Sequence, residues 1–265
     1  MKNDIAALMS LVREKRPLVH QITNNVTVND CANITLCAGG SPVMADSPAD
    51  VEDMVRIATA LVLNIGTLTD PIIEAMLLAG KEANKLGKPV ILDPVGSGAT
   101  QYRTKMSWRL LNELRISVVK GNAGEIGALA GVGGKVRGVD SEGIDGDPVE
   151  ACISLSKKTG AVVVMTGAVD IITDGKRTVA VNNGHEMMTT VSGTGCMTAS
   201  VIGCYASCTD DMVLASAAAL AVFNIAGSKA AKRSKGPGSF IANLKDELAG
   251  LTPNEAAVLA NIRLL

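Results

Sequence analysis

Short apolar runs alternate with amphipathic segments along most of this 265-residue chain. The apolar runs are rich in β-branched residues, and several are apolar on both faces, which is typical of central strands in a parallel sheet. They predict strands at residues 18–23, 60–66, 88–94, 116–121 and 161–167. The segments between them predict helices, among them 48–59, 70–86 and 147–159. This alternation indicates an α/β fold in which crossover helices connect parallel strands.

The ends of the chain depart from this pattern. The first 17 residues carry a short apolar stripe, which predicts a helix of the mature protein rather than a signal peptide. After residue 167, two short runs flank Asp174 and Gly175, which predicts an antiparallel hairpin on the sheet edge. From residue 193 onward the pattern is mostly helical. The glycine-rich segment 131–147 lies between two helices, and we expect it to be a mobile surface loop.

Composition narrows the classes of protein that fit. Hydrophobic residues make up 47% of the chain but aromatic residues only 2%, so the core must consist of small and aliphatic side chains. The net charge is −1 and the basic residues are scattered, which gives no support to nucleic-acid binding. The uncharged run at residues 212–228 is Ala-rich and includes Asn224, so we interpret it as a buried core helix rather than a membrane span. The length requires no second domain.

The cysteines and histidines do not form a recognisable metal or disulfide pattern. The six cysteines include no C-x-x-C pair, and the two histidines, His20 and His185, are far apart in sequence. A zinc site and a disulfide framework are therefore disfavoured, and a cytoplasmic location fits best. We interpret five of the cysteines as small buried apolar groups, namely Cys31, Cys37, Cys152, Cys204 and Cys208.

Polar residues follow several predicted strands, where the ligand crevice of an open α/β sheet lies. Asp93 ends one strand and precedes a Gly-Ser-Gly turn, and Lys120 ends another. Asn122 and Glu125 follow with the N-x-x-E spacing of a capping box, which is the favoured interpretation of that spacing alone. If the two strands are neighbours, however, Asp93 and Glu125 could also hold a hydrated Mg²⁺ ion through waters.

The stretch VSGTGCMTAS at 191–200 places a glycine turn at the start of a predicted helix. Free backbone N–H groups and the helix dipole make such a turn a natural anion cradle. Thr166 and Gly167 follow another predicted strand. Together, these strand ends and the glycine turn resemble what phosphoryl transfer needs, namely an anion hole, a divalent cation, a positive side chain and a group that accepts the hydroxyl proton. A Walker A motif is absent, since Lys176 is followed by Arg177, and no G-x-G-x-x-G follows the first strand. A P-loop kinase and a Rossmann dehydrogenase are therefore disfavoured.

Several long motifs, in order, carry a resemblance to a known family. They are PLVHQITNNVTVNDCANITLCAGGSPVMAD at 17–46, LVLNIGTL at 61–68, VILDPVGSGAT at 90–100, VVKGNAGEI at 118–126, VMTGAVD at 164–170 and SGTGCMTAS at 192–200. In these motifs the chain resembles the hydroxyethylthiazole kinases of the ribokinase-like superfamily. The resemblance implies a single kinase domain over residues 1–265, with a three-layer α/β/α fold, a mostly parallel sheet and an antiparallel edge hairpin.

The resemblance also implies an activity and a set of site residues. Enzymes of this family phosphorylate the alcohol of 5-(2-hydroxyethyl)-4-methylthiazole with ATP, a salvage step toward thiamine. Carried over to this sequence, the thiazole is expected near Met44, Gly193 and Asn25, and the ATP phosphates near Lys120 and Thr166. Glu125 is the first candidate for holding Mg²⁺ and Asp93 the second. The resemblance further implies a homotrimer with thiazole sites at subunit interfaces.

Two of these assignments have competing interpretations from the residues themselves. Without the motif around it, Met44 is an ordinary core filler. Asn24 and Asn25 by themselves predict a turn and a helix N-cap. At position 120 the family often has Arg, so here a bidentate guanidinium is replaced by a point charge.

Cys196 stands where most of the superfamily has an aspartate base, although the thiazole kinase branch itself has cysteine. A helix N-terminus can lower the pKa of a thiol, so a thiolate could accept the substrate's hydroxyl proton. We expect the N–H groups of Gly193, Thr194, Gly195 and Cys196 to form the oxyanion cradle and to supply the larger share of catalysis. Cys196 is then a weak base or a group that positions the hydroxyl. Two alternatives stay open, a hydroxymethylpyrimidine-type kinase and a catalytically silent nucleotide-binding protein.

Overall fold

A nine-stranded sheet forms the centre of the protein in the computed structural model, which describes residues 1–132, 134–137, 140–144 and 146–265. The strand order across this sheet is β11-β10-β9-β8-β5-β4-β3-β1-β2. The described strands are β1 Leu18–Ile22, β2 Ser41–Val43, β3 Ala60–Asn64, β4 Val90–Asp93, β5 Val118–Asn122, β6 Gly134–Arg137, β7 Asp140–Ile144, β8 Val162–Thr166, β9 Asp170–Thr173, β10 Thr178–Val181 and β11 Ile262–Leu264. The five strands predicted from the apolar runs are thus confirmed as β1, β3, β4, β5 and β8.

Helices cover both faces of this sheet. They are α1 Lys2–Lys15, α2 Val28–Ala38, α3 Val51–Ile57, α4 Asp70–Lys85, α5 Gln101–Glu113, α6 Ala123–Ala130, α7 Pro148–Thr159, α8 Thr194–Ala206, α9 Met212–Arg233, α10 Pro237–Gly250 and α11 Pro253–Leu259, with a 3₁₀ helix at Glu186–Thr190. The helices predicted at 70–86 and 147–159 are confirmed as α4 and α7, and each begins after a side chain, Thr69 or Asp147, that accepts a hydrogen bond from a backbone N–H of the following turn. The helix predicted at 48–59 begins later than expected, because a turn at Ser47 precedes α3.

The core is divided into two apolar clusters, one on each face of the sheet. Val62 in β3 packs with α1, α2 and the C-terminal helices, whereas its neighbours Leu61 and Leu63 pack with α3 to α7. This alternation follows from the two-residue period of a strand, which sends successive side chains to opposite faces. Because both faces are covered, the central strands are largely apolar, and the predicted three-layer α/β/α fold is confirmed.

Strand direction also agrees with the prediction for most of the sheet. Within the nine-stranded sheet, the neighbours β2, β1, β3, β4, β5 and β8 pair in parallel. The pairs β8–β9, β9–β10 and β10–β11 are antiparallel. The hairpin around Asp174 and Gly175 is therefore confirmed as β9 and β10. The outermost position on that side belongs to β11, which the sequence pattern does not predict because three residues are too few to show a period.

The glycine-rich segment differs from the expected surface loop. Its described parts form two short antiparallel strands, β6 and β7, which pair with each other in a separate two-stranded sheet. Residues 133, 138–139 and 145 of the segment lie outside the described residues. The expectation was wrong for the two strands, because glycines obscured the short pairing segments between them.

The long apolar helix α9 is part of the core, as predicted. Within the described part of the chain it is the one helix long and apolar enough to cross a membrane, and 78% of its most apolar window is buried in the fold. Of the cysteines interpreted as buried, Cys31, Cys152 and Cys204 are buried, whereas Cys37 and Cys208 are only half-buried.

Candidate active site

A cavity of about 1140 Å³ opens where the parallel strands end. Strand order in the sheet reverses between β1 and β3, and a ligand crevice is expected outside the carboxyl ends of strands at such a point. Its wall includes residues that end or follow β1, β4, β5 and β8, together with the first turn of α8. Among the predicted site residues, those that line this cavity are Asp93, Lys120, Glu125, Thr166, Gly193, Thr194, Gly195 and Cys196.

Met44 and Asn25 are the two predicted site residues that this single chain does not place in the cavity wall. Met44 follows the edge strand β2 and is half-buried. Asn25 is exposed, and its backbone N–H donates to the hydroxyl of Thr67 at 3.0 Å. The structure therefore brings together the residues predicted for phosphate and metal, but not two of those predicted for the thiazole.

A chain of hydrogen bonds connects Lys120 to Cys196 along the cavity floor. Lys120 Nζ lies 3.3 Å from Asp93 Oδ1, and Asn64 Nδ2 donates to Asp93 Oδ2 at 2.7 Å. Asn24 Nδ2 donates to Asn64 Oδ1 at 3.0 Å and approaches Cys196 Sγ at 3.3 Å. Four sheet or loop positions far apart in sequence thus form one polar network with the start of α8.

Asn24 is a residue whose place in the site the sequence did not reveal, although its turn was predicted correctly. Its Oδ1 accepts from the backbone N–H groups of Val26 and Thr27 and from the Thr27 hydroxyl, at 3.0 to 3.1 Å. Because three donors surround that oxygen, the amide nitrogen must face Asn64 and Cys196. Asn64 was missed as well, although a polar residue that ends an apolar strand is a signal that could have found it.

Charge in the network is concentrated at Asp93 and Lys120, which are both buried. Burial raises the pKa of Asp93, and the ammonium of Lys120 and the amide of Asn64 oppose that effect. For Lys120, burial acts to lower the pKa, but the charges of Asp93 and Glu125 outweigh it and the net pKa is raised. Lys120 therefore stays a cation inside the cavity.

Glu125 forms the capping box that its spacing predicts. Its Oε2 accepts from the backbone N–H of Asn122 at 2.8 Å, while Asn122 Oδ1 accepts from the N–H of Glu125. The other oxygen, Oε1, accepts from the N–H of Gly96 at 2.8 Å in the turn after β4. Burial raises the pKa of Glu125 to about 7. Since β4 and β5 pair in parallel, the predicted adjacency of the Asp93 and Glu125 strand ends is confirmed.

The first turn of α8 faces this charged floor. No side chain caps the helix, and Gly193 occupies the N-cap position with a φ of 92°, a conformation that favours glycine. A Cβ at Gly193 would lie 2.6 Å from Thr27 Cγ2, so close approach also requires glycine. A Cβ at Gly195 would lie 3.0 Å from Lys120 Nζ. The first turn of α8 and the lysine ammonium thus lie close together, an arrangement that suits an anion.

The thiol of Cys196 is not acidified by its helix. Burial, followed by the charge of Asp93, raises its pKa to about 11. The acidic thiol that a helix N-terminus can produce is therefore not found at this site, because desolvation and the Asp93 carboxylate outweigh the charge of Lys120. At neutral pH the group is a thiol whose sulfur accepts a hydrogen bond from Asn24.

The donor set near the strand ends suits a magnesium ion bound through water. All four oxygens of Asp93 and Glu125 already lie within hydrogen-bond distance of protein donors. Among the described residues no three or more His, Cys, Asp or Glu side chains group closely enough to enclose a metal by themselves. Mg²⁺ is usually held by one or two carboxylates, several waters and substrate phosphates, and two carboxylates at one cavity edge fit that mode.

Comparison with known proteins adds independent information. The model of the hydroxyethylthiazole kinase family matches residues 9–254. Proteins named hydroxyethylthiazole kinase from Methanosphaerula palustris and Methanocella arvoryzae are 57% and 56% identical, over 100% and 98% of this chain and 100% and 97% of theirs.

Solved structures agree with these relatives. The structure of the hydroxyethylthiazole kinase protein from Pyrococcus horikoshii superposes with a TM-score of 0.91 at 42% identity, covering 98% of each chain. Pyridoxal kinase from Staphylococcus aureus has a TM-score of 0.64 at 14% identity, over 94% of this chain and 97% of that one. This second likeness shows only that the two proteins share the fold.

Proposed function

Because the chain belongs to the hydroxyethylthiazole kinase family, we propose that its cavity transfers the γ-phosphoryl group of ATP to the alcohol of 5-(2-hydroxyethyl)-4-methylthiazole. The products are the thiazole phosphate ester, ADP and the proton of the alcohol, which is released to solvent. The observation that carries the proposal is the convergence of Lys120 on the uncapped first turn of α8. Phosphoryl transfer depends mainly on positioning and on stabilisation of spread negative charge, and this arrangement provides both.

Each side of the cavity has a distinct role in this proposal. Lys120 and Thr166 bind phosphate oxygens of ATP, and the N–H groups of Gly193, Thr194, Gly195 and Cys196 stabilise the transferred group. The hydroxyl of Thr166 donates to the carbonyl of Gly121 at 3.3 Å, which holds it at the cavity wall. Lys120 contributes a single positive charge without the planar fork of an arginine.

Glu125 and Asp93 would hold Mg²⁺ through water at the edge of the cavity. The ion supplies neutralisation of phosphate charge when it is bound. Glu125 keeps its capping bonds to Asn122 and Gly96 in this role, since a carboxylate oxygen has lone pairs to spare for water. The capping box and the metal role are therefore compatible.

Cys196 positions the substrate hydroxyl rather than removing its proton. A thiol with a pKa near 11 is protonated at neutral pH and is a poor base. A loose transition state places little demand on early deprotonation, so a hydrogen-bonding group at this position is sufficient. The pKa thus favours the second of the two roles that the sequence allowed.

A neighbouring subunit completes the thiazole pocket in this proposal. Met44 and Asn25 lie outside the cavity wall of their own chain, whereas Val26 lines the cavity and is 69% exposed. An exposed apolar side chain at the rim is suited to burial against a partner. A homotrimer with thiazole sites at its interfaces would bring Met44 and Asn25 of one chain to the cavity of another. The predicted cytoplasmic location belongs to the same proposal.

Product analysis tests the proposal against both alternatives. The purified protein is incubated with Mg-ATP and either the thiazole alcohol or hydroxymethylpyrimidine, and products are identified by mass spectrometry. We expect thiazole phosphate and ADP in equal amounts. Pyrimidine phosphate alone would indicate the related kinase, and nucleotide binding without turnover of either alcohol would indicate a silent protein. The Lys120→Met variant is the matched control, because it removes the charge at the centre of the site.

A further inference from the structure

A buried carboxylate and a buried amide meet in the wall of the same cavity. Asp170 begins β9 and is 4% exposed, and Asn224 lies in α9 and is 8% exposed. Asn224 Nδ2 donates to Asp170 Oδ2 at 2.6 Å. Both residues line the cavity, as does Leu220 one turn earlier in α9. None of the roles assigned above uses this pair.

The second oxygen of Asp170 holds the turn between β8 and β9. Oδ1 accepts from the backbone N–H of Gly167 at 3.0 Å, directly after Thr166. Thr166 and Gly167 both face the cavity. The carboxylate of Asp170 therefore connects the turn between β8 and β9 to α9. These two elements are more than fifty residues apart in sequence.

The charge of Asp170 argues against direct contact with nucleotide phosphates. Burial raises the pKa of Asp170 to about 6, which leaves it ionised at neutral pH. A carboxylate repels phosphate oxygens, so its effect on a nucleotide must pass through the groups that it holds. A buried charge is also costly unless donors satisfy it, and Gly167 and Asn224 are those donors.

We propose that Asp170 and Asn224 are a positioning pair that fixes the Thr166–Gly167 turn against the nucleotide and thereby sets nucleotide affinity. The proposal rests on the proposed function, which places ATP phosphates at Thr166. Disturbing the pair weakens ATP and ADP binding but leaves the thiazole side, at Gly193 and beyond, unaffected. The pair is a positioning device and does not touch the reacting atoms.

Two substitutions of Asn224 test the pair. Asn224→Asp places two carboxylates against each other, and Asn224→Ala removes the donor without adding charge. We expect both variants to raise the KM for ATP and to weaken ADP binding, measured by calorimetry, by about tenfold or more, because a hydrogen bond to a buried charge is lost. The kcat and the KM for the thiazole alcohol should change little.

The double variant Asp170→Asn with Asn224→Asp restores a donor and an acceptor in reversed order. The amide at position 170 can still accept from the N–H of Gly167, so ADP affinity should return to within about threefold of the wild type. The control is Asp174→Asn, the same change in a half-buried carboxylate of the same hairpin, which accepts from the backbone N–H groups of Lys176 and Arg177 and lies outside the cavity wall. It should bind ADP like the wild type.

The outcomes separate this inference from the proposed function. Wild-type ADP affinity in both single variants, or a double variant as weak as Asn224→Asp, would overturn the positioning pair. An equal change in the KM values for ATP and for the alcohol would overturn it too. If the wild type phosphorylates no thiazole, the proposed function fails, while calorimetry with ADP still decides the inference.

Discussion

Asn24 Nδ2 and Cys196 Sγ lie 3.3 Å apart and connect the end of β1 to the first turn of α8. The same nitrogen donates to Asn64, which in turn donates to Asp93. Because the other atom of the Asn24 amide accepts three hydrogen bonds, this nitrogen has a fixed direction. The orientation of the thiol is thus set by a turn that is 172 positions away in sequence.

Removing this amide should impair the transfer step more than nucleotide binding. In Asn24→Ala, Cys196 and Asn64 lose their shared donor, and we expect kcat to fall about tenfold with little change in the KM for ATP, since misplacement near reacting groups is costly. Steady-state kinetics measures both constants. Asn33→Ala in α2, where the amide donates to Asn29 of the same helix, is the control for the loss of an asparagine side chain. An unchanged kcat in Asn24→Ala would contradict the role given to this contact.

The raised pKa of Cys196 predicts slow alkylation at neutral pH. A thiol reacts as its thiolate, and with a pKa near 11 only about one molecule in a thousand is ionised at pH 8. The rate should therefore rise with pH through the range above 9. Peptide mapping after iodoacetamide treatment measures it, with Cys196→Ala to identify the peptide. A plateau reached below pH 8 would show an acidified thiol.

Replacement of Cys196 measures how much basicity the transfer needs. At saturating alcohol and Mg-ATP, Cys196→Ala should be slower than the wild type by about tenfold, because it loses a positioning group but keeps the N–H cradle. Cys196→Asp should retain turnover. The account of Cys196 fails if the alanine variant is as fast as the wild type, or if the folded aspartate variant is inactive.

The N-cap glycine of α8 should be intolerant of any side chain. Gly193→Ala combines a φ of 92° with a Cβ 2.6 Å from Thr27 Cγ2, and we expect a loss of about 1–3 kcal/mol in the free energy of unfolding. Urea denaturation measures it. Adding Thr27→Ser removes the clashing methyl group and should restore part of the stability, while the strained φ persists. A Gly193→Ala protein of wild-type stability would contradict the close approach.

The sequence predicted the parts of the site that depend on local order. Asp93 and Lys120 end apolar strands, and the Asn122 and Glu125 spacing directly encodes a capping box. Parallel pairing then forces these strand ends together. The three-layer fold was predictable from local order as well. A strand whose two faces are both covered by helices is recognisable in the sequence as an apolar run.

Contacts between distant segments were not predictable in this way. Asn24 and Asn64 meet only because β1 and β3 are neighbours, and Asn224 reaches Asp170 from the apolar middle of α9. The direction of the Cys196 pKa depends on burial by these segments, which a local motif does not report. The short strands β6, β7 and β11 were not predicted, because their sequences show no clear hydrophobic period.

Relative kcat/KM for two alcohols at saturating Mg-ATP tests the central claim most directly. The account predicts that 5-(2-hydroxyethyl)-4-methylthiazole is preferred to hydroxymethylpyrimidine by a factor of about one hundred or more, since specificity is a difference in transition-state binding. Equal values, or a preference for the pyrimidine, would contradict the assignment of this cavity to the thiazole alcohol.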